Sequence, residues 1–168
     1  MTSRKIMLLG EIGVGKSSIV QRLVLDRFEM TYKPTIGVDV YRYEVPASET
    51  RPALNLIVWD TDGDLSELIF RHVYMKSASA AMIVGDVMRP GTLESMARLA
   101  EGFRAELPGR HVTMLLNKMD LVSDPQTIDI PPALLSSGAP IAKTSAKTGD
   151  NIKTAFIEAA DAIVRRGQ

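Results

Sequence analysis

The spacing G-x-x-x-x-G-K-S is complete at residues 10–17 of this 168-residue chain. Glycines in such a loop let backbone N–H groups turn inward towards phosphate oxygens, and a following helix adds its dipole. Lys16 can then contact the β- and γ-phosphates of a nucleotide, and Ser17 can ligate Mg²⁺. The loop follows an apolar run, 5–10, and precedes a helical stripe, a context that disfavours an incidental Lys-Ser pair after a glycine turn. The motif predicts a phosphate-binding loop, but alone it does not separate ATPases, kinases and GTPases.

Two further polar segments follow later apolar runs: Asn-Lys-Met-Asp at 117–120 and Thr-Ser-Ala-Lys at 144–147. The Asp120 carboxylate can accept hydrogen bonds from both N1–H and the exocyclic amine of guanine, whereas adenine offers no matching pair of donors. Because a polar group that loses its partner is costly, such a carboxylate selects steeply between bases. A segment of this kind is also common as a plain polar turn. The occurrence of both with the phosphate loop favours a guanine-binding site.

The elements that position these segments follow from the hydrophobic pattern. Strands are predicted at 5–10, 38–46, 53–60, 80–86, 111–117 and 140–144, and helices at 17–26, 92–107, near 131 and at 151–166. The polar turn 47–52 predicts a hairpin at one sheet edge. Alternation of strands and helices predicts a mostly parallel sheet covered on both faces. A ligand then lies beyond the carboxyl ends of the strands, which is where the polar segments fall.

Composition excludes several classes of function. Apolar residues are 45% of the chain and charged residues 24%, which suits one globular domain over 1–168. The net charge is zero, so no basic excess favours a nucleic-acid partner. The chain contains no cysteine, which excludes disulfides, thiolate metal sites and a lipid anchor on cysteine. With neither a signal peptide nor an apolar run of membrane-spanning length, we predict a cytoplasmic protein.

Taken in order along the chain, the three motifs resemble those of the Ras superfamily of small GTPases, closest to its Rab/Ras-like branch. The resemblance covers essentially the whole chain. It implies an α/β fold with three layers, the Ras-like form of the P-loop NTPases: a mostly parallel six-stranded sheet with one antiparallel edge strand and helices on both faces. It also implies GTP or GDP and Mg²⁺ as ligands.

The same resemblance implies a set of site residues. Nucleotide contacts are implied for Glu11, Gly13, Val14, Gly15, Lys16, Ser17, Ser18, Phe28, Thr35, Gly63, Asn117, Lys118, Asp120, Ser145, Ala146 and Lys147. Mg²⁺ ligation is implied for Ser17, Thr35 and Asp60, with Thr35 joining only when a γ-phosphate is present. A catalytic role is implied for Lys16, Thr35, Gly63 and Asp64.

For the base, the resemblance implies that the N–H of Ala146 meets the guanine carbonyl oxygen. Lys118 and Lys147 are implied to pack along the base and ribose, and Asn117 to tie its segment to the phosphate loop. Phe28 stands where the family places an aromatic ring over the base. An ordinary core position is an equally good interpretation of that phenylalanine.

Three positions depart from the family pattern. The segment 59–64 reads Trp-Asp-Thr-Asp-Gly-Asp where the family has W-D-T-A-G-Q, so Asp62 replaces a small alanine and Asp64 replaces the glutamine that orients the attacking water. An ionised carboxylate accepts hydrogen bonds but donates none, and it repels a polyphosphate. Ile12 is branched where many members have glycine or serine. We expect slow hydrolysis, rescued by a partner or bypassed by nucleotide exchange. There are two alternatives. Another side chain compensates for the missing glutamine and hydrolysis runs at an ordinary rate, or the protein is a GTP-binding scaffold that does not hydrolyse GTP.

The resemblance implies two switch segments, the first at 32–38 and the second at 59–74. The expected partners are effectors, exchange factors and GTPase-activating proteins that bind these two segments. A candidate apolar effector surface is formed by Ile36, Val38, Leu65, Leu68, Ile69 and Tyr74. The alternative is that most of these side chains belong to the core. The chain ends in Arg165-Arg166-Gly167-Gln168 without a lipidation motif.

Overall fold

The computed structural model describes residues 1–28, 37–61 and 74–168. Its strands are β1 (Thr2–Leu9), β2 (Val38–Val45), β3 (Leu54–Thr61), β4 (Ala80–Asp86), β5 (His111–Asn117) and β6 (Ile141–Lys143). Its α-helices are α1 (Lys16–Leu25), α2 (Pro90–Glu106), α3 (Pro132–Leu135) and α4 (Ile152–Arg165), and two short 3₁₀ turns cover Met119–Leu121 and Pro125–Thr127. Several predicted residues lie outside the described part: Thr35, Ile36, Asp62, Gly63, Asp64, Leu65, Leu68 and Ile69.

The strands form one sheet in the order β2-β3-β1-β4-β5-β6. β2 and β3 pair antiparallel, from Val38 opposite Thr61 to Val45 opposite Leu54. The remaining pairs, β1 with β3, β1 with β4, β4 with β5 and β5 with β6, are all parallel. The predicted fold class, a mostly parallel six-stranded sheet with one antiparallel edge strand, is therefore confirmed.

The core lies on both faces of this sheet. Every residue of β4 and β5 is buried, which is typical of central strands covered on both sides. In β1 the side chains alternate: Ile6 and Leu8 pack with Phe156 of α4 on one face. Met7 and Leu9 pack on the other face in the cluster that contains Phe103 of α2. Because alternate side chains of a strand point to opposite faces, β1 contributes to a separate apolar cluster on each face of the sheet. The fold therefore has three layers, with helices on both sides of the sheet.

The helices α1, α2 and α4 agree with the predicted ranges within two residues at each end, and α3 begins at Pro132, next to the start predicted near 131. α2 begins at Pro90 rather than at 92, because proline is well suited to the first helical turn. Pro108 and Gly109 follow the end of this helix, as the sequence indicates. Within the described part of the chain, no helix has the length and apolar character needed to cross a membrane.

A buried arginine fixes the β2–β3 hairpin against α4. Arg51 is only 5% exposed, and its Nε donates to Asp161 Oδ1 at 2.6 Å. Its Nη1 donates to the carbonyl oxygens of Pro46 and Pro52 at 2.9 and 3.1 Å. One guanidinium therefore joins both ends of the turn to the last helix.

Replacing Arg51 by methionine is expected to lower the free energy of unfolding by about 3 kcal/mol, since it leaves Asp161 and two carbonyl groups without their donor. Urea denaturation at a fixed ligand concentration measures this change. Lys153→Met, at an exposed position of α4, is the matched control and should change the unfolding free energy by less than about 0.5 kcal/mol. Equal stability of the Arg51 variant and the wild type would contradict the assignment.

Candidate nucleotide site

The phosphate loop connects the end of β1 to the start of α1 and contacts Asn117, the last residue of β5. Gly15 has a φ of 106°, a left-handed conformation that favours glycine. A Cβ atom at Gly15 would lie 2.3 Å from the Asn117 amide nitrogen, so a larger residue has no room. The motif glycine is thus required both by backbone conformation and by the close approach of a neighbouring loop.

Lys16 lies inside this loop. It is 7% exposed, and its ammonium group donates to the carbonyl oxygens of Gly10 and Glu11 at 2.7 and 2.9 Å. The loop therefore encloses a positive charge next to the N-terminus of α1, where backbone N–H groups and the helix dipole also favour an anion. This arrangement fits a phosphate ligand.

Ser17 and Asp60 bring together two oxygen groups of the kind that Mg²⁺ prefers. The Ser17 hydroxyl donates to Asp60 Oδ2, and the Asp60 carboxylate is fully buried at the end of β3. Within residues 1–28, 37–61 and 74–168, no three His, Cys, Asp or Glu side chains gather into a metal-binding group. A site at this place fits Mg²⁺, which commonly uses one or two protein oxygens together with water and phosphate oxygens.

Asn117 connects the phosphate loop to both base-recognition segments. Its Nδ2 donates to the Val14 carbonyl at 3.0 Å. Its Oδ1 accepts from Thr144 Oγ1 at 3.2 Å and from the Ala146 backbone N–H at 3.3 Å. The Asn117 side chain is 1% exposed. A single buried amide therefore fixes three chain segments relative to one another.

The Asp120 carboxylate is held in position by Ser145. The Ser145 hydroxyl donates to Asp120 Oδ1 at 2.7 Å and accepts from the Thr148 backbone N–H at 3.1 Å. Ser145 is buried, whereas Asp120 is exposed on the short turn Met119–Leu121. The carboxylate thus faces outward with one oxygen fixed, which suits an acceptor for the paired donors of guanine.

A carboxylate that the sequence interpretation missed organises the outer side of the phosphate loop. Asp86, at the end of β4, is 2% exposed, and its Oδ2 lies 2.8 Å from Lys118 Nζ and 3.2 Å from Arg89 Nε. Lys118 also donates to the Gly13 carbonyl at 2.8 Å, and Arg89 donates to the Ile12 carbonyl at 2.7 Å. One buried carboxylate therefore holds two cations on two successive carbonyl groups of the loop.

The charge state of Asp86 follows from these contacts. Burial by itself raises the pKa of the Asp86 carboxyl, but hydrogen bonds from Lys118, the Met88 N–H and Arg89, together with the charge of Lys118, bring that pKa below its ordinary value. In the sequence, the signal that could have identified Asp86 as part of the site is its position at the end of an otherwise apolar strand. Because the pKa of Asp86 is lower in the folded protein than in the unfolded chain, its ionised form stabilises the fold. This stabilisation is present above about pH 4 and is lost as the pH falls through the folded-state pKa.

Arg22 is a second residue that sequence reasoning did not single out. Its Nε donates to the Ala146 carbonyl at 2.9 Å and its Nη2 to the Lys147 carbonyl at 2.6 Å. Arg22 lies three residues after buried Ile19, on the inner side of α1. It therefore attaches the segment 144–147 to the helix that starts at the phosphate loop.

The remaining predicted residues are placed as follows. The Glu11 carboxylate accepts a hydrogen bond from Ser95 of α2, which links the loop to that helix. Phe28 is partly buried and packs against the apolar cluster on the α1 and α4 face. Ser18 is partly buried, and the Lys147 side chain is exposed. Thr35, Gly63 and Asp64 lie outside the described residues.

Comparison with known proteins places the chain in a family. A model of the Ras family matches residues 5–165, and the chain belongs to this family of small GTPases. It is 33% identical over 156 residues to Ras-related protein Rab-31 of Rattus norvegicus, covering 90% of this chain and 78% of that protein. It is 30% identical over 164 residues to Ras-related protein RABF2b of Arabidopsis thaliana, covering 96% and 81%. The GTP-binding protein ypt5 of Schizosaccharomyces pombe is 28% identical over 158 residues, covering 92% and 74%. The predicted resemblance to the Rab-like branch is confirmed.

Proposed function

We propose that this chain is a molecular switch that binds GTP and GDP with Mg²⁺ and hydrolyses GTP slowly, with residues 1–168 acting as one G domain. The observation that supports this most directly is the Asn117 amide. It holds the phosphate loop at Val14 and the segment 144–147 at Ala146, which fixes the proposed phosphate site and the proposed base site relative to each other. Nucleotide contacts are proposed for the residues that the family resemblance implies.

The protein groups divide the work between binding and charge neutralisation. Lys16 and the loop N–H groups bind the β- and γ-phosphates, as the general scheme for P-loop NTPases has it. When bound, Mg²⁺ neutralises charge on the same phosphate oxygens. Ser17 and Asp60 are the described residues proposed to hold the ion, and Thr35 is proposed to join them. Asp120, fixed by Ser145, selects guanine.

Slow hydrolysis follows from three side chains. Asp64 cannot donate a hydrogen bond to the transferring phosphoryl group as an amide can, and Asp62 adds a second negative charge. Ile12 has a side chain that is 40% exposed on the phosphate loop. A branched apolar group at this place restricts the approach of water and of a cation supplied by a partner.

A non-hydrolysing GTP-binding scaffold is the second candidate, and Ile12, Asp62 and Asp64 favour it. The buried Lys16 and the Ser17–Asp60 contact favour the switch, because the groups that neutralise phosphate charge and hold Mg²⁺ during phosphoryl transfer are retained. A P-loop ATPase or kinase is disfavoured by the position of Asp120 beside Ser145.

Effectors and regulators are proposed to bind the switch segments in one nucleotide state more tightly than in the other, because equal affinities shift no equilibrium. Of the predicted effector surface, the structure describes two residues. Val38 is partly exposed at the start of edge strand β2, and Tyr74 packs beside Trp59 at a ring-centroid distance of 6.0 Å. Tyr74 also packs against the core cluster on the α2 face, in line with the alternative interpretation. A cytoplasmic location stays a prediction.

Competition binding tests the proposal. With Mg²⁺ present, GDP is expected to bind at least about a thousandfold more tightly than ADP, and removal of Mg²⁺ with a chelator should weaken GDP binding. Equal affinity for ADP would contradict guanine recognition.

Fluorescence of Trp59, the only tryptophan, distinguishes the switch from the scaffold. In a switch the emission of Trp59 changes between the GDP complex and the complex with a non-hydrolysable GTP analogue, whereas in a rigid scaffold it does not.

Asp86→Asn is expected to speed the release of GDP by about tenfold, because the neutral amide no longer holds the cations on the Ile12 and Gly13 carbonyls. Release of a fluorescent GDP analogue into excess GDP measures the rate. Asp129→Asn removes an exposed carboxylate elsewhere and should leave the rate unchanged. An Asp86 variant with the wild-type release rate would show that the loop keeps its shape without the paired cations.

A further inference from the structure

A second pocket lies at the opposite end of the sheet from the nucleotide site. It has a volume of about 280 Å³ and is lined by residues from the ends of α2 and α4, from the start of β5 and from the turn before β6. β5 runs from this pocket at His111 to the nucleotide site at Asn117, and seven strand residues span roughly 20 Å. The two places are therefore separate, and a ligand in one does not touch the other.

The charged side chains that line this pocket are all positive. They are Arg104, Arg110 and Arg166, and no aspartate or glutamate is among the described lining residues. Arg104 donates to the Ser137 carbonyl at 2.8 Å, and Arg166 donates to the Gly109 carbonyl at 2.7 Å. These bonds fix the guanidinium groups of Arg104 and Arg166 without neutralising them. Of the ion pairs found in the described ranges, none includes any of the three arginines.

His111 reports the electrostatic field inside the pocket. The residue is 5% exposed, and its Nε2 lies 2.8 Å from Thr113 Oγ1. Burial lowers the pKa of the His111 imidazole to about 4, and the charges of Arg166, Arg165 and Arg104 add to this decrease. The imidazole is thus neutral near pH 7, mainly because it is buried, and the nearby arginine charges act in the same direction.

From these contacts we infer that the pocket binds a phosphate monoester through Arg104, Arg110 and Arg166. A guanidinium fork matches the spacing of phosphate oxygens, and it is less strongly hydrated than an ammonium group. A phosphate dianion neutralises two of the three positive charges, whereas a carboxylate neutralises one. The volume is at the lower limit of small-molecule sites, which suits a phosphate and the group next to it. The phosphate belongs either to a small soluble molecule or to a lipid headgroup.

The test uses the protein saturated with GDP and Mg²⁺, so that added phosphate does not report on the phosphate loop. Inorganic phosphate is titrated while amide and imidazole signals are followed by NMR. Shifts are expected at residues 109–111 and 166, with a rise in the pKa of His111. Arg110→Gln combined with Arg166→Gln should weaken phosphate binding by at least about tenfold. Lys153→Gln, which removes one exposed positive charge elsewhere, should not weaken it.

Two outcomes would overturn the inference: no localised shifts in the wild type, or equal phosphate binding by the double variant and the wild type. Arg110→Gln alone provides the same comparison if the double variant does not fold. Vesicles of phosphatidylcholine, with and without a phosphatidylinositol monophosphate, then identify the source of the phosphate. Arginine-dependent binding to the phosphorylated vesicles assigns a lipid headgroup, and phosphate binding without vesicle binding assigns a soluble phosphomonoester. Vesicle binding without any phosphate response would contradict the site.

Discussion

Asp120→Asn is expected to weaken GDP binding by about a thousandfold, which corresponds to roughly 4 kcal/mol. In the proposed site the wild-type carboxylate accepts from two guanine donors, and Ser145 fixes its orientation through Oδ1. An asparagine amide places an N–H₂ group against one of those donors and loses the charge. The same amide suits xanthine, which has a carbonyl oxygen in place of the exocyclic amine. The variant should therefore prefer xanthine nucleotides.

Equilibrium competition among GDP, xanthosine diphosphate and ADP measures this reversal. Ser145→Ala is the informative companion variant, because it keeps the carboxylate but removes the hydroxyl that orients it. A loss of about tenfold is expected for Ser145→Ala, with guanine still preferred. If Asp120→Asn keeps GDP affinity within about threefold, the base is not recognised by this carboxylate.

Asp64→Gln is expected to raise the rate of single-turnover GTP hydrolysis by at least about tenfold. The physical reason is that an amide can accept from the attacking water and donate to the transferring phosphoryl group, whereas a carboxylate can only accept. The substitution also removes one negative charge beside a polyphosphate. Hydrolysis of pre-bound GTP, followed in the presence of Mg²⁺, isolates this step from nucleotide exchange.

A matched series tests the cause of the slow turnover that we propose. Asp64→Asn has an amide of shorter reach and should restore less activity than glutamine. Ile12→Gly and Asp62→Ala test the steric and charge effects separately. If both the wild type and Asp64→Gln are inert while Ile12→Gly is active, the branched side chain is the obstacle. Rapid hydrolysis by the wild type would show that another group already orients the water.

The fold was predictable because its signals are local. Apolar runs, the proline at the start of α2 and the glycines of the phosphate loop each act within a few residues of their own position. The last strand shows how boundaries depend on definition. β6 covers only Ile141–Lys143, yet the Pro140 carbonyl and the Thr144 N–H still bond to β5, so the predicted range 140–144 matches the hydrogen-bonded segment.

The contacts that hold the site residues in place, made by Asp86 and Arg22, were not predictable in the same way. Asp86 appears in the sequence only as a strand end, and Arg22 only as a charge on a helix. Their partners, Lys118 and the carbonyls of Ala146 and Lys147, come from segments that only the folded sheet brings close. The choice of partner for a charged side chain is thus a tertiary property. Asp64 lies outside the described residues, so its catalytic role stays a prediction.

The amide of Asn117 makes the two ends of the proposed ligand energetically dependent on each other. Ordering the phosphate loop through Val14 also orders the segment that contains Ala146, because both bond to the same buried side chain. When a whole nucleotide binds, the free-energy cost of ordering both segments is incurred once. When guanosine and pyrophosphate bind as separate molecules, each binding event incurs the full cost. The affinity for the intact ligand should accordingly exceed the product of the affinities for its two fragments.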